Sequence, residues 1–166
     1  MKTQSNTTVF LVDDNVLYLK ALKNYLLENL KNINIYDFQT GEEMLNYKKS
    51  VPDIIILDFI FKIPNQKARN GLSILKRLGL KSPYIPVIIL SGQKNKLIRT
   101  ELINEGAYDY VEKFKNDFEL VANDIRDIST QLIEKKLEDK VTLKITFWLI
   151  ALSLMALAFL YFQNSL

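Results

Sequence analysis

Five polar residues stand at the ends of four short strand-like runs, and their types suit chemistry on a phosphate group. They are Asp13, Asp14, Asp58, Ser91 and Lys113. Carboxylates that are brought together at neutral pH repel one another and persist only where a cation compensates them. Carboxylate oxygens suit a hard cation such as Mg²⁺. A lysine across from them adds positive charge toward any phosphoryl oxygen. These residue types predict a magnesium and phosphate site if the fold gathers them.

The composition limits the other kinds of chemistry. The chain has 166 residues, room for one ordinary domain and a short appendage. Its net charge of +3 is too small an excess to indicate nucleic-acid binding. It has no cysteine, which excludes disulfides and thiolate chemistry, and no histidine, the commonest metal ligand. Any bound metal therefore depends on oxygen ligands.

The apolar pattern predicts the elements that position these residues. Short aliphatic runs such as Ile54–Leu57 are typical of strands covered on both faces, and apolar residues every three or four positions over 16–30 predict a helix. Strand and helix patterns alternate along the chain, which predicts an α/β fold, a doubly wound five-stranded parallel sheet. Right-handed crossovers place all carboxyl ends of the strands at one edge, where ligands collect. The polar residues should therefore meet.

As an ordered set, these residues resemble the receiver domain of two-component response regulators. In that family an acidic pair ends the first strand, a phospho-accepting aspartate the third, a serine or threonine the fourth and a lysine the fifth. Here Asp14 and Asp58 are 44 positions apart, and Ser91 and Lys113 are 22 apart. The resemblance covers residues 7–132 and implies a flavodoxin-like (βα)5 receiver.

The resemblance implies a role for each residue at the site. Asp58 would accept a phosphoryl group from a histidine kinase or phosphotransfer protein, and Lys113 would pair with the phosphoryl oxygens. It also implies a signalling module that is not an enzyme, apart from slow self-dephosphorylation. The implied Mg²⁺ ligands are Asp13, Asp14, Asp58 and the backbone carbonyl of Ile60.

Ser91 and Tyr110 match the positions of the family's switch. Repacking of Tyr110 would alter the face formed by the fourth helix, fifth strand and fifth helix. Taken singly, each residue has a simpler explanation. Asp14 or Asn15 could only cap a helix, Ser91 could only form a turn, Lys113 could be solvated, and Tyr110 could only pack its ring.

Two features depart from the family pattern. Phe114 stands where the family usually has a proline in a cis peptide. We expect a trans peptide there and a different loop beside the site, because a non-proline cis bond costs about 3 kcal/mol. The connection Phe59–Asn70 is longer than usual and basic, and it either contacts a partner or is a solvated insertion.

The C-terminal part predicts a membrane anchor. Residues 145–162 contain no charge, glycine or proline, and as a helix they would span about 27 Å. A buried core helix and an interfacial helix are the alternatives. Lysines precede the segment and no charge follows it, which predicts a single pass through the inner (cytoplasmic) membrane with the receiver in the cytoplasm. These lysines are Lys135, Lys136, Lys140 and Lys144.

The sequence therefore predicts five parts. They are a disordered N-terminus (1–6), a receiver (7–132), a charged helical linker (133–144), a transmembrane helix (145–162) and a short tail (163–166).

The predicted function is that of a membrane-anchored receiver. It would signal through protein–protein contacts at the membrane, with no DNA-binding output and no nucleic-acid partner. The contacts would use the anchor or the face of the fourth helix, fifth strand and fifth helix, and a homodimer is left open. The alternative is a scaffold subunit of a membrane complex with little phosphorylation. A phosphatase is disfavoured because Ile60 cannot act as the second acid.

Overall fold

The computed structural model describes residues 6–59, 71–114 and 116–163, and the side chains at 158, 159 and 162 are outside that description. Five parallel strands form one sheet in the order β2-β1-β3-β4-β5. This confirms the predicted five-stranded parallel α/β fold. The strands are β1 (Thr7–Val12), β2 (Ile33–Phe38), β3 (Ile54–Asp58), β4 (Val87–Ser91) and β5 (Asp109–Glu112).

Helices follow each of the five strands. The central strands β3 and β4 are buried at every position, as their continuous aliphatic sequences predict. β2, at the edge of the sheet, has exposed and half-buried positions along most of its length. The helices are α1 (Val16–Asn29), α2 (Gly41–Asn46), α3 (Gly71–Lys81), α4 (Lys96–Asn104) and α5 (Asp117–Gln163).

Local capping explains where two of the helices begin. The Asn15 side chain accepts the N–H groups of Leu17 and Tyr18 and so caps α1. The Thr40 hydroxyl accepts the N–H of Glu43 at 3.1 Å and so caps α2. The strand order reverses between β1 and β3, and the crevice at such a point is where ligands bind in open α/β sheets.

The chain divides into two compact units, residues 1–128 and 129–166. In the first unit, α5 buries an apolar face made of Val121, Ala122, Ile125 and Ile128. The second unit contains the rest of α5, and from Ile133 onward its large apolar side chains are exposed wherever they are described. The predicted disordered N-terminus, except Asn6, and the predicted tail, except Gln163, lie outside the described residues.

Candidate functional site

The acidic residues converge at the carboxyl edge of the sheet. β1 and β3 are neighbours, with Val12 opposite Leu57, so the residues that follow them in register lie side by side. One ligand oxygen from each of Asp13, Asp14 and Asp58 lies within 4.8 Å of the others. Asp13 and Asp58 are buried, at 2% and 3% exposure. Oxygen donors of this kind are those that Mg²⁺ prefers.

Lys113, the residue that follows β5, brings a positive charge to these carboxylates. Its ammonium donates to Asp13 Oδ2 and to Asp58 Oδ1, both at 2.5 Å. Its backbone N–H donates to the Ser91 carbonyl at 2.8 Å, which extends the β4–β5 pairing to the lysine. Lys113 is therefore a half-buried ion-pair partner, and the simpler prediction of a solvated lysine is wrong.

The residue that caps α1 also orients the Asp13 carboxylate. Asp13 Oδ1 accepts the Asn15 N–H at 2.9 Å, which fixes the Asp13 carboxylate toward Lys113. Asn15, and not Asp14, caps α1. Asp14 is half-buried in the acidic cluster, so capping does not account for it.

Burial dominates the electrostatics of Asp58. Desolvation raises the pKa of the Asp58 carboxyl to about 6, and the neighbouring Lys113 lowers it by less. Burial by itself would lower the pKa of Lys113, but attraction to Asp58 and bonds to Asp13 and Asp58 raise it overall. Three carboxylates face one ammonium, and this excess of negative charge suits a divalent cation.

Ser91 and Tyr110 are linked through a residue that sequence reasoning did not single out, Gln93. Ser91 is buried, and its hydroxyl accepts the Gln93 N–H at 3.1 Å. The Tyr110 hydroxyl donates to the Gln93 carbonyl at 2.5 Å, and its ring is buried. The two predicted switch residues thus hold the same backbone segment of the β4–α4 loop.

The peptide bond before Phe114 is trans, as expected. The described residues contain no cis peptide bond. The Phe114 ring is 48% exposed and lies 4.3 Å from the Lys94 ammonium. The predicted metal ligand Ile60 and the rest of the long connection, 60–70, lie outside the described residues.

Gly71 lies directly against the backbone of Asp58 and Phe59. A Cβ at this position would lie 2.8 Å from the Asp58 carbonyl oxygen and 2.9 Å from Phe59 Cα. The Gly71 N–H also donates to the Phe59 carbonyl at 2.8 Å. The start of α3 therefore lies against the backbone of Asp58 and Phe59. The sequence signal was a glycine at a helix start, which by itself says nothing about this approach.

Gly71→Ala should therefore destabilise the protein by about 1–3 kcal/mol, because backbone atoms must move to admit the methyl group. Gly79→Ala is the matched control, since a Cβ there meets nothing within 4 Å. In the same helix we expect that change to be neutral or to stabilise by roughly 0.5–1 kcal/mol. Thermal unfolding of both variants measures the difference, and equal melting temperatures would contradict the close approach.

Tyr18 is a further residue of the site that sequence reasoning missed. Its ring lies 4.6 Å from the Lys113 ammonium, and its hydroxyl donates to Asp117 Oδ2 at 2.6 Å. Burial first, and then the carboxylates around it, raise the pKa of Tyr18, so its hydroxyl stays a donor. Asp14 precedes the cap of α1, so helical spacing from the acidic pair gave no signal for Tyr18 in the sequence.

Comparison with known proteins gives a consistent set of relatives. A family model described as response regulator receiver domain matches residues 9–123. The transcriptional regulatory protein CpxR of Escherichia coli (strain K12) is 32% identical over 114 residues, which are 69% of this chain and 46% of that protein. The transcriptional regulatory protein CssR of Bacillus subtilis is 30% identical over 106 residues, 64% of this chain and 44% of that protein. This chain thus spans somewhat under half the length of these curated relatives.

Two solved structures are similar in fold. The receiver domain of the Francisella response regulator 1452 has a TM-score of 0.64 at 24% identity, covering 76% of this chain and 99% of that one. A BeF3-activated DrrB receiver domain has a TM-score of 0.62 at 24% identity, covering 74% of this chain and 97% of that one. At this level of identity the two likenesses show the fold alone.

Proposed function

This chain belongs to the response regulator receiver domain family, and from that premise we propose that Asp58 accepts a phosphoryl group from a phosphohistidine. The donor would be a histidine kinase or a phosphotransfer protein. One observation carries the proposal. The buried Asp58 carboxylate lies in a cluster with Asp13 and Asp14 and is bonded to the Lys113 ammonium. Together these groups supply a nucleophile, a cation site and a positive charge for phosphoryl oxygens.

In the proposed transfer step, Asp58 is the nucleophile and Lys113 the positive charge that receives the phosphoryl group. An ionised Asp58 oxygen attacks phosphorus and a P–O bond forms. The P–N bond to the imidazole breaks, and its electron pair returns to the imidazole nitrogen. Lys113, which holds Asp58 Oδ1 before transfer, then donates to a phosphoryl oxygen. Positioning and charge stabilisation account for catalysis of this kind.

Asp13, Asp14 and Asp58 would hold a Mg²⁺ ion, because their ligand atoms lie within 4.8 Å of one another. When bound, the ion supplies positive charge that offsets repulsion between these carboxylates and the phosphoryl group. The backbone carbonyl of Ile60, the fourth ligand that the family resemblance implies, belongs to the same proposal.

Ser91 and Tyr110 would carry the signal away from Asp58. A phosphoryl group that draws the Ser91 hydroxyl toward it takes an acceptor away from the Gln93 N–H. Tyr110 donates to the carbonyl of the same Gln93, so the loop and the ring would adjust together. The face made by α4, β5 and α5 would then change, and a partner protein or a second copy would read it.

The decisive experiment is adduct formation by the full chain in a mild detergent. With Mg²⁺ present, we expect saturable beryllofluoride binding, and acetyl phosphate should place one phosphoryl group on Asp58, located by mass spectrometry. Asp58→Asn should abolish both. Asp53→Asn is the matched control, since Asp53 precedes the same strand at its opposite end and accepts the Thr8 N–H. Absence of any adduct in the wild-type chain would favour the scaffold alternative.

The receiver would be tethered to the inner membrane by the end of α5. An apolar window of this helix, between Asp117 and Leu157, is long enough to cross a bilayer, and none of it is buried. Phe147, Trp148, Leu152 and Met155 are each at least 67% exposed, as expected of side chains that contact lipid. The lysines before the segment favour a cytoplasmic receiver. Its output would then be contacts with proteins at the membrane, without DNA binding.

Arginine substitutions test the tether. Each arginine near the centre of a span costs about 2.5–3.5 kcal/mol of insertion free energy. We therefore expect Leu149→Arg with Leu152→Arg to release the chain from membranes in carbonate extraction, while the wild-type chain stays in the pellet. Val141→Arg, in the charged region before the segment, is the control and should stay in the pellet too. A wild-type chain found in the supernatant would rule out a spanning helix.

A further inference from the structure

Tyr18 contacts both the Lys113 ammonium and Asp117, the first residue of α5. It lies in the first turn of α1, where its N–H is held by the Asn15 cap. Its ring lies 4.6 Å from the Lys113 ammonium. Its hydroxyl donates to Asp117 Oδ2 at 2.6 Å, across 99 positions of sequence. The described side chains thus connect the phosphate site to α5 by a route that does not include Ser91 or Tyr110.

The Asp117 end of this connection is firmly placed. Asp117 is 9% exposed, and its Oδ1 accepts the Phe118 N–H at 3.0 Å at the start of α5. The Phe118 ring packs edge-on against the Tyr18 ring, with centroids 5.3 Å apart. Movement of the Tyr18 ring would therefore change its contacts with Phe118 and Asp117 in the first turn of α5.

The Lys113 end of the connection changes during the reaction. Before transfer the Lys113 ammonium bonds Asp13 and Asp58. With a phosphoryl group on Asp58, the ammonium must shift toward the new oxygens. A cation that lies against an aromatic ring is attracted to it electrostatically, so this shift alters the contact with Tyr18.

We propose that Tyr18 is a positioning residue that confines the Lys113 ammonium to the site and couples its position to the first turn of α5 through Asp117. This inference has a positional half and a functional half. The positional half is that Tyr18 holds the Lys113 ammonium and connects it to Asp117, and it does not depend on phosphorylation, because the contacts are present without a phosphoryl group. The functional half is that this connection responds when Asp58 is phosphorylated, and it rests on the proposed phosphorylation of Asp58. α5 is also the helix that carries the apolar segment, so the first turn is where a signal to that helix would enter.

The positional half is tested in the full chain, in a mild detergent without metal or phosphodonor. Lysine side-chain NMR signals are recorded for the wild type, Tyr18→Leu, Asp117→Ala and the double variant, with Lys113 assigned by Lys113→Arg. We expect Tyr18→Leu to remove the ring-current shift of Lys113. Asp117→Ala should move the Lys113 signal only when Tyr18 is present, as a double-mutant cycle detects. An equal effect of Asp117→Ala in both backgrounds would overturn the coupling.

Tyr25 provides a matched control. It lies on the same helix and packs against the same Phe118 ring, with centroids 5.6 Å apart, but Tyr18, not Tyr25, is the α1 ring in contact with Lys113. Tyr25→Leu therefore tests whether loss of α1–α5 packing alone accounts for the result. It should leave the Lys113 signal unchanged, and a shift like that of Tyr18→Leu would reduce Tyr18 to a packing role.

The functional half is tested with beryllofluoride and Mg²⁺. Tyr18→Leu should weaken beryllofluoride binding about 2- to 30-fold, the range expected for loss of a cation–aromatic contact. Tyr18→Phe keeps the ring, so it should bind within about threefold of wild type. It should nevertheless lose most of the ligand-induced change in hydrogen exchange over residues 118–122. Asp117→Asn keeps an oxygen that can accept the Tyr18 hydroxyl, so this variant should match the wild type in both beryllofluoride affinity and exchange response.

Two outcomes of these measurements would count against the functional half. One is wild-type affinity in Tyr18→Leu, and the other is a full exchange response in Tyr18→Phe. If the wild-type chain binds no beryllofluoride, the proposed phosphorylation fails and the functional half fails with it. The metal-free NMR cycle still decides the positional half in that event.

Discussion

Without Mg²⁺, phosphorylation of Asp58 by a small phosphodonor should slow by about 100-fold or more, because metal-ion stabilisation of a transferring phosphoryl group is worth several kcal/mol. The arrangement of charges is the reason. Asp13, Asp14 and Asp58 lie together, and the Lys113 ammonium is bonded to Asp13 and Asp58. A phosphodonor brings further negative charge, which this single positive charge does not offset. The measurement is the rate of phosphoryl incorporation with Mg²⁺ and with excess EDTA.

Variants separate a site effect from a general effect of the metal. Asp14→Asn should raise the Mg²⁺ concentration needed for half-maximal rate, because it removes the negative charge of a proposed ligand on the half-buried side of the cluster. Asp37→Asn, at an exposed carboxylate bonded to Lys23, should leave that concentration unchanged. Equal rates with Mg²⁺ and EDTA in the wild-type chain would contradict a metal-dependent transfer.

Asp58→Asn should stabilise the metal-free protein by about 3 kcal/mol above pH 6, given a pKa raised from 3.8 to about 6. The folded protein binds the Asp58 proton more tightly than the unfolded chain does. Ionising this carboxyl therefore destabilises the fold as the pH rises from about 4 to above 6. Asparagine carries no such charge. Well below pH 4 the carboxyl is protonated in both states, and the stabilising effect should vanish.

Hydrogen exchange of the β4 amides measures this effect in the full chain, because that strand is buried at every position and opens late. Asp37→Asn serves again as the control and should change stability by less than about 1 kcal/mol, as exposed ion pairs do. Added Mg²⁺ should narrow the gap between wild type and Asp58→Asn. Destabilisation by Asp58→Asn at pH 7.5 would show that the bond to Lys113 outweighs the burial of charge.

Much of the fold follows from local patterns. The aliphatic runs of β3 and β4 and the capping residues Asn15 and Thr40 depend on near neighbours in sequence. Residues at strand ends, such as Asp58, could therefore be assigned to one edge of a parallel sheet before any distance was known. Parallel pairing then leaves little freedom in how the ends of β1 and β3 align.

Other features of the site depend on contacts between distant elements. The approach of Gly71 to the Asp58 backbone and the place of Gln93 between Ser91 and Tyr110 arise from how helices and loops pack on the sheet. Sequence periodicity specifies which side of an element faces the core, but not which side chains meet across it. A glycine at the start of a helix does not by itself indicate that another part of the backbone lies against it.

The sequence by itself determined the α/β architecture, the family and the identity of the acids, serine and lysine at the site, since each depends on residue type and spacing. The tertiary structure decided that the Lys113 ammonium lies between Asp13 and Asp58, and that Tyr18 connects it to Asp117. It also decided the pKa of Asp58. The physical reason is that hydrogen bonds and desolvation act over a few ångströms in space, between residues as far as 100 positions apart.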